Sequence, residues 1–101
     1  MHIDHLDELH LIINLCNEHR LKAKVALRVN MDTGLYPTWD RFGFNLESGD
    51  AWEAIVKIQN HEALELKGLH CHIGTFVLSV NAYAKAAEKL ADLALRIKQE
   101  Y

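Results

Sequence analysis

The stretch LELKGLHCHIGT, residues 64–75, is an apolar run that breaks into a polar cluster, and its place between two helical patterns decides the fold. Residues 64–71 read as a strand, and the glycine-containing segment that follows, 73–79, as a loop. Upstream, Trp52, Ile55 and Val56 recur at helical spacing, and Ser48 is placed to cap that helix, which should end near Asn60. Downstream, Tyr83, Ala86, Ala87, Leu90, Leu93, Ala94 and Ile97 mark a long amphipathic helix. Earlier in the chain the same alternation is visible. Leu6, Leu9, Ile12, Ile13 and Cys16 predict a helix over 7–19, with Asp4, Asp7 and Glu8 at the positive end of its dipole. KVALRVN, residues 24–30, is short and rich in β-branched residues, and reads as an inner strand. Residues 31–40, with Gly34 and Pro37, read as a loop, and RFGF at 41–44 as at most a short strand. Trp39 and Phe42 are expected to anchor that loop by burial.

Strands alternating with helices imply parallel pairing through right-handed crossovers, so the fold class is α/β. A complete parallel barrel takes about 250 residues, and the chain has 101. Residues 1–101 therefore read as one partial barrel domain, a piece of something larger whose opening MHID resembles the end of a strand. Hydrophobic residues make up 50% and charged residues 25%, the balance of an ordinary globular protein. The net charge of −3 is spread along the chain without a basic cluster, which excludes a nucleic-acid or anionic-membrane footprint and favours a small-molecule ligand. No apolar stretch approaches the roughly 20 residues of a membrane helix. Cys16 and Cys71 lack paired spacing and follow no secretory segment, which fits a reducing cytoplasm.

Chemistry concentrates at His70-Cys71-His72-Ile73-Gly74-Thr75, directly after the apolar run. Ligands of parallel α/β folds bind at the carboxyl ends of strands. Alternation sends His70 and His72 to one side and Cys71 to the other if the strand persists that far. A histidine there can ligate metal, act as a base or lie against a planar cofactor, while Gly74 and Thr75 can offer backbone N–H and hydroxyl donors to a phosphate. A polar strand end with satisfied histidines explains the same residues. Arg28 is a charge inside an apolar strand, and burying it requires a carboxylate, phosphate or aromatic partner; otherwise it lies on a wet edge. Asp32 and Arg41, flanking the next loop, read as surface charges.

Taken in order, LRVN at 27–30, RFGF at 41–44 and GLHCHIGT at 68–75 resemble the barrel domain of the fold-type III pyridoxal-phosphate enzymes, closest to the decarboxylases acting on diaminopimelate, ornithine and arginine. Residues 2–9 also resemble that family's strand-to-helix passage, so the likeness covers nearly the whole chain. It implies a partial (β/α)8 TIM barrel of the alanine racemase-like type, with pyridoxal 5'-phosphate as cofactor, an amino-acid substrate and a homodimeric parent. Carried over by position, it implies that His72 stacks on the pyridine ring, that Thr75, where serine is commoner, bonds the phosphate beside Gly74, and that Arg28 lies near the cofactor. His70 is an accessory candidate.

The departures are as informative. Lys22, Lys24, Lys57, Lys67, Lys85, Lys89 and Lys98 sit in no context resembling the family's Schiff-base lysine, so no catalytic residue is assigned. The glycine-rich phosphate loop, the acidic partner of the ring nitrogen and the C-terminal β domain have no counterpart either. The resemblance therefore implies part of an amino-acid decarboxylase, with diaminopimelate the favoured substrate (lysine biosynthesis), and the 101-residue chain is expected to be inactive alone. A racemase of the same fold type, a zinc hydrolase using the H-x-H strand end, and a non-catalytic remnant or assembly module are the competing readings.

Overall fold

The computed structural model describes residues 1–34, 41–73 and 79–101. Their elements run β1 (His2–Ile3), α1 (Leu6–His19), β2 (Ala23–Asn30), β3 (Phe44–Asn45), α2 (Asp50–Gln59), β4 (Leu64–His70) and α3 (Val80–Glu100). Every pairing is parallel and every one is made to β2. β1 meets its middle (His2 with Ala26, Ile3 with Leu27), β3 its end (Val29 with Phe44, Asn30 with Asn45), and β4 its length from Ala23 to Arg28. The β2–β4 ladder shifts register between Val25 and Ala26, which pair with Leu66 and Gly68, so Lys67 is the extra residue of a bulge.

Alternation divides the sheet into two chemically different faces. Ile3, Val25, Leu27 and Val29 are buried, together with Leu9, Ile12 and Cys16 of α1, Ile55 and Ile58 of α2, and Ala86 and Leu93 of α3. Each fully buried aliphatic side chain of this set contributes roughly 1.5–3 kcal/mol through removal from water. The other face carries Lys24, Ala26 and Arg28 on β2, flanked at matching register by His2 on β1 and by Glu65, Gly68 and His70 on β4. One face builds the core, and the other collects the polar side chains.

The expected helices and strands are present with small shifts at their ends. α1 closes on Arg20, the one described non-glycine residue with a left-handed backbone (φ 55), and the Leu21 N–H donates to the Cys16 carbonyl. Ser48 is not the cap of α2. Gly49 occupies that position, and the Ser48 hydroxyl accepts from the Asp50 N–H at 3.3 Å from one residue further out. Ser79 caps α3 by accepting the Ala82 N–H at 3.2 Å. The RFGF strand is displaced, pairing at Phe44 and Asn45 rather than across 41–44.

Helix α3 is tied down by polar contacts as well as by its apolar stripe. The Arg96 guanidinium lies 3.7 Å from the centre of the Trp52 ring on α2. Lys89 Nζ donates to the Asp32 carbonyl at 2.5 Å and to Glu47 Oε1 at 2.7 Å, and the Asp32 N–H also donates to Glu47 Oε1. The segment after β2 is thereby fastened to the segment before α2. Among the described residues no helix is long and apolar enough to cross a membrane.

Candidate functional site

Because the strands are parallel, their carboxyl ends lie together, and there the polar face of the sheet ends in a cluster of rings and cations. Arg28 is half-buried, with its guanidinium 5.3 Å from the Phe42 ring centre, and Arg41 reaches the same ring at 5.4 Å. His5, just past β1, meets Phe42 edge-on at 5.6 Å. His2 and His70 stack nearly flat, 5.1 Å apart with 6° between their planes. Of the partners expected for Arg28, an aromatic one is present in Phe42. Among the described residues no carboxylate makes an ion pair with Arg28.

Phe42 is held by its backbone. Asn30, 5% exposed, donates through Nδ2 to the carbonyls of Phe42 and Gly43 at 3.2 and 3.1 Å. Its Oδ1 accepts from Asn45 Nδ2 at 2.7 Å, and Asn45 Oδ1 in turn accepts the Ser48 N–H at 2.8 Å. The Gly43 N–H donates to the Asp4 carbonyl, joining this turn to the end of β1. Gly43 itself has φ 96, and a Cβ there would lie 3.0 Å from the Arg28 carbonyl oxygen, so the turn approaches β2 more closely than any side chain permits. Phe42 had been expected to anchor its loop by burial; at 37% exposure it is instead an open platform between two guanidinium groups.

Electrostatics follow from this crowding. Partial burial lowers the His70 pKa below the ordinary histidine value, and the charges of His2 and Arg28 lower it further; Asp4 opposes them and His72 adds a smaller push downward. The ring resting on His2 loses hydration on one side while its edge stays in water. The neutral form of His70 is thereby favoured beside the Arg28 guanidinium. The Cys71 thiol is pushed up by burial, against a weaker pull from Arg28, and its side chain packs on the core.

The expected site residues are partly reunited. Arg28 and His70 sit opposite each other in the ladder. β4 stops at His70, so His72 lies beyond the strand; the order exposed, half-buried, exposed over His70, Cys71 and His72 nevertheless keeps the two histidines on the side away from the core. Gly74, Thr75 and Trp39 lie outside the described residues. His2, His5 and Asn30 were not singled out from sequence. Asn30 ends the LRVN motif and was visible there, whereas nothing local distinguishes His2 and His5 among seven histidines. Among the described residues no three His, Cys, Asp or Glu side chains gather as a metal set. A cavity of about 600 Å3 between Arg20, Lys22 and His61 lies at the amino ends of the strands, away from this cluster.

Two basic groups, stacked imidazoles and an aromatic platform make a surface suited to an anionic, planar ligand. Comparison with known proteins agrees. Residues 1–101 match the family described as pyridoxal-dependent decarboxylase, pyridoxal binding domain. The diaminopimelate decarboxylase of Bacillus methanolicus is 32% identical over 99 residues, covering 89% of this chain and 23% of that protein. That of Methanocaldococcus jannaschii is 31% identical over 108 residues, covering 97% and 24%. The crystal structure of the latter enzyme in complex with L-lysine superposes with a TM-score of 0.84 at 29% identity, over 98% of this chain and 25% of that one. The chain thus spans about a quarter of the length of these relatives, and its sheet and helices form an arc of their barrel. It belongs to the pyridoxal-dependent decarboxylases, within their pyridoxal binding domain.

Proposed function

We propose that this chain forms one wall of the pyridoxal-phosphate site of an amino-acid decarboxylase whose substrate is meso-diaminopimelate, and that the complete protein acts as a cytoplasmic homodimer. The observation that carries the reading is the meeting of Arg28 and His70 at adjoining parallel strand ends, beside the Phe42 platform, in a chain of this family. The chemistry of the donor set suits the cofactor, since guanidinium and hydroxyl groups bind phosphate and an imidazole face suits a pyridine ring. When bound, that ring supplies an electron sink for the charge left as carbon dioxide departs.

The chain's own residues bind and orient. By the family resemblance His72 would lie against the ring, Thr75 and Gly74, which are outside the described residues, would donate to the phosphate, Arg28 would place a fixed positive charge beside the cofactor, and His70 would back it as a neutral imidazole. Neutrality has a purpose here, because a charged His70 next to Arg28 would repel it. The substrate assignment rests on the relatives, one of them holding L-lysine. L-Lysine differs from meso-diaminopimelate by one carboxylate. Unpaired Cys16 and Cys71 are compatible with a reducing compartment.

The test is titration of pyridoxal phosphate into the chain, read by cofactor absorbance and by quenching of Trp fluorescence. Saturable binding is expected, weakened about tenfold by Arg28→Ala and by His72→Ala, the scale of one lost charge-assisted or stacking contact. Failure of the unaltered chain to saturate, or indifference to both substitutions, would refute the reading.

A further inference from the structure

The geometry points to Asn30 as a positioning residue that sets the direction of the Arg28 guanidinium by pinning the backbone under Phe42. The inference rests on the reading of Arg28 as a cofactor-site residue, but the positioning itself can be tested without the cofactor.

Asn30 is buried, and its amide is fully used. Nδ2 binds the carbonyls of Phe42 and Gly43, while Oδ1 receives Asn45 Nδ2. The two carbonyls it holds are those on either side of the Gly43 N–H, which is itself tied to the Asp4 carbonyl. The turn at 42–43 is therefore fixed from β1 and from β2 at once. Its ring, Phe42, is what Arg28 rests on at 5.3 Å. Arg28 has no carboxylate partner among the described residues, so this ring and the close passage of Gly43 along its backbone and Cγ are what limit its rotamers. A long, strongly hydrated side chain without such a platform samples several rotamers, and holding it still improves binding by cutting the ordering cost. Among the described residues the Asn30 side chain bonds Phe42, Gly43 and Asn45 and makes no hydrogen bond to the guanidinium. It acts through Phe42.

A carboxylate at this position isolates the effect. Asn30→Asp keeps the shape and the acceptor for Asn45 but replaces the two-armed donor with an anion facing two carbonyls, which expels the turn. Asn45→Ala is the matched control, because it removes the contact to Oδ1 and leaves both Nδ2 bonds in place.

The readout is the Nε–H resonance of Arg28 in 15N-labelled protein, identified by its loss in Arg28→Lys and shifted by the ring current of Phe42 until Phe42→Leu removes that shift. Asn30→Asp is expected to move the resonance to the Phe42→Leu position with far-UV circular dichroism unchanged, and Asn45→Ala to leave it where it is. Pyridoxal-phosphate affinity should fall about tenfold in Asn30→Asp, and the fall should disappear when it is made on top of Phe42→Leu. Should Asn30→Asp fail to fold, Asn30→Ser, which is too short to reach both carbonyls, takes its place with the same expectations. A ring-current shift that survives in the folded Asn30 variant overturns the inference, as does its equal loss in Asn45→Ala, which would show general loosening. Absence of cofactor binding by the unaltered chain would instead count against the proposed function, and leaves the resonance test standing.

Discussion

Alanine at Gly43 should be the most damaging single-methyl addition in the described chain. Gly43 has φ 96, a backbone conformation that costs an L side chain roughly 1–3 kcal/mol. The added Cβ would stand 3.0 Å from the Arg28 carbonyl oxygen, 3.2 Å from Arg28 Cγ and 3.3 Å from the Arg28 carbonyl carbon. Two of those atoms are backbone of β2, which is paired on both edges and cannot step aside cheaply, so overpacking adds about 1–3 kcal/mol. The sum, about 2–6 kcal/mol, translates at roughly 4–8 °C per kcal/mol for a domain of this size into a fall in Tm of about 8–48 °C. Two internal controls separate strain from collision. Gly34 (φ 78) and Gly49 (φ 92) share the positive φ, but a Cβ on either meets nothing within 4 Å among the described residues. Gly34→Ala and Gly49→Ala should therefore cost only the conformational part. Urea and thermal unfolding of the three variants decide the matter, and a Gly43→Ala penalty no larger than that of Gly34→Ala would refute the close approach of the turn to β2.

Leu27, fully buried at the centre of the sheet, should cost about 2–5 kcal/mol on Leu27→Ala in the same unfolding assay. Glu47 is opposed by burial, yet its hydrogen bonds from Lys89 and the Asp32 N–H outweigh that and hold its pKa below the ordinary glutamate value. Its folded form thus binds protons less readily than its unfolded form, so the stabilisation is present above the ordinary glutamate value and is lost as pH falls through the lowered one. For a pair this exposed the size is about 0.3–1 kcal/mol, and Lys89→Met should remove that part of the acid dependence. His70 is also lowered, so its contribution is full above the ordinary histidine value and declines as pH falls below it; a two-dimensional NMR titration that shows His70 titrating at or above the ordinary histidine value would contradict the crowding at the strand ends. The 101-residue chain with added pyridoxal phosphate should release no carbon dioxide from meso-diaminopimelate beyond a cofactor-only control, since none of its lysines stands in the family's lysine context.

Much of the architecture was legible because it follows from periodicity. The 3.6-residue recurrence of Leu9, Ile12 and Cys16 and the short β-branched run around Leu27 are determined locally, and parallel pairing follows from their alternation. Cap positions were less legible. Ser48 carries the right side chain one residue too early, and the glycine beside it takes the left-handed conformation that the chain needs to enter α2. The exposure of Phe42 escapes local reading for a related reason. An aromatic residue in a loop is ordinarily an anchor, and only the arrival of Arg28 from 14 positions upstream makes this one a platform. Burial is a property of the whole assembly of elements, and no local pattern around RFGF announces which side chain will come to rest on it.

Asn30 explains why two short motifs that are weak separately carry information together. LRVN supplies the guanidinium at Arg28 and the amide at Asn30, two residues apart on one strand. RFGF supplies the ring that the guanidinium rests on and the two carbonyls that the amide holds, and its glycine is the residue whose missing Cβ lets the turn come within reach of both. Each motif contains the partners of the other. A change in one is therefore tolerated only with a compensating change in the second, so double substitutions at Asn30 and Phe42 should be strongly non-additive, whereas Asn30 with Leu64, paired with Ala23 at the opposite end of β2, should add. The strand end at His70 enters from the other side of β2, opposite Arg28 in the ladder, which places the neutral imidazole against the one cation whose direction is set by the paired motifs. The order of the three motifs in the chain is thus the order in which the wall is built: charge and clamp on β2, platform at the turn before α2, and flat ring at the end of β4.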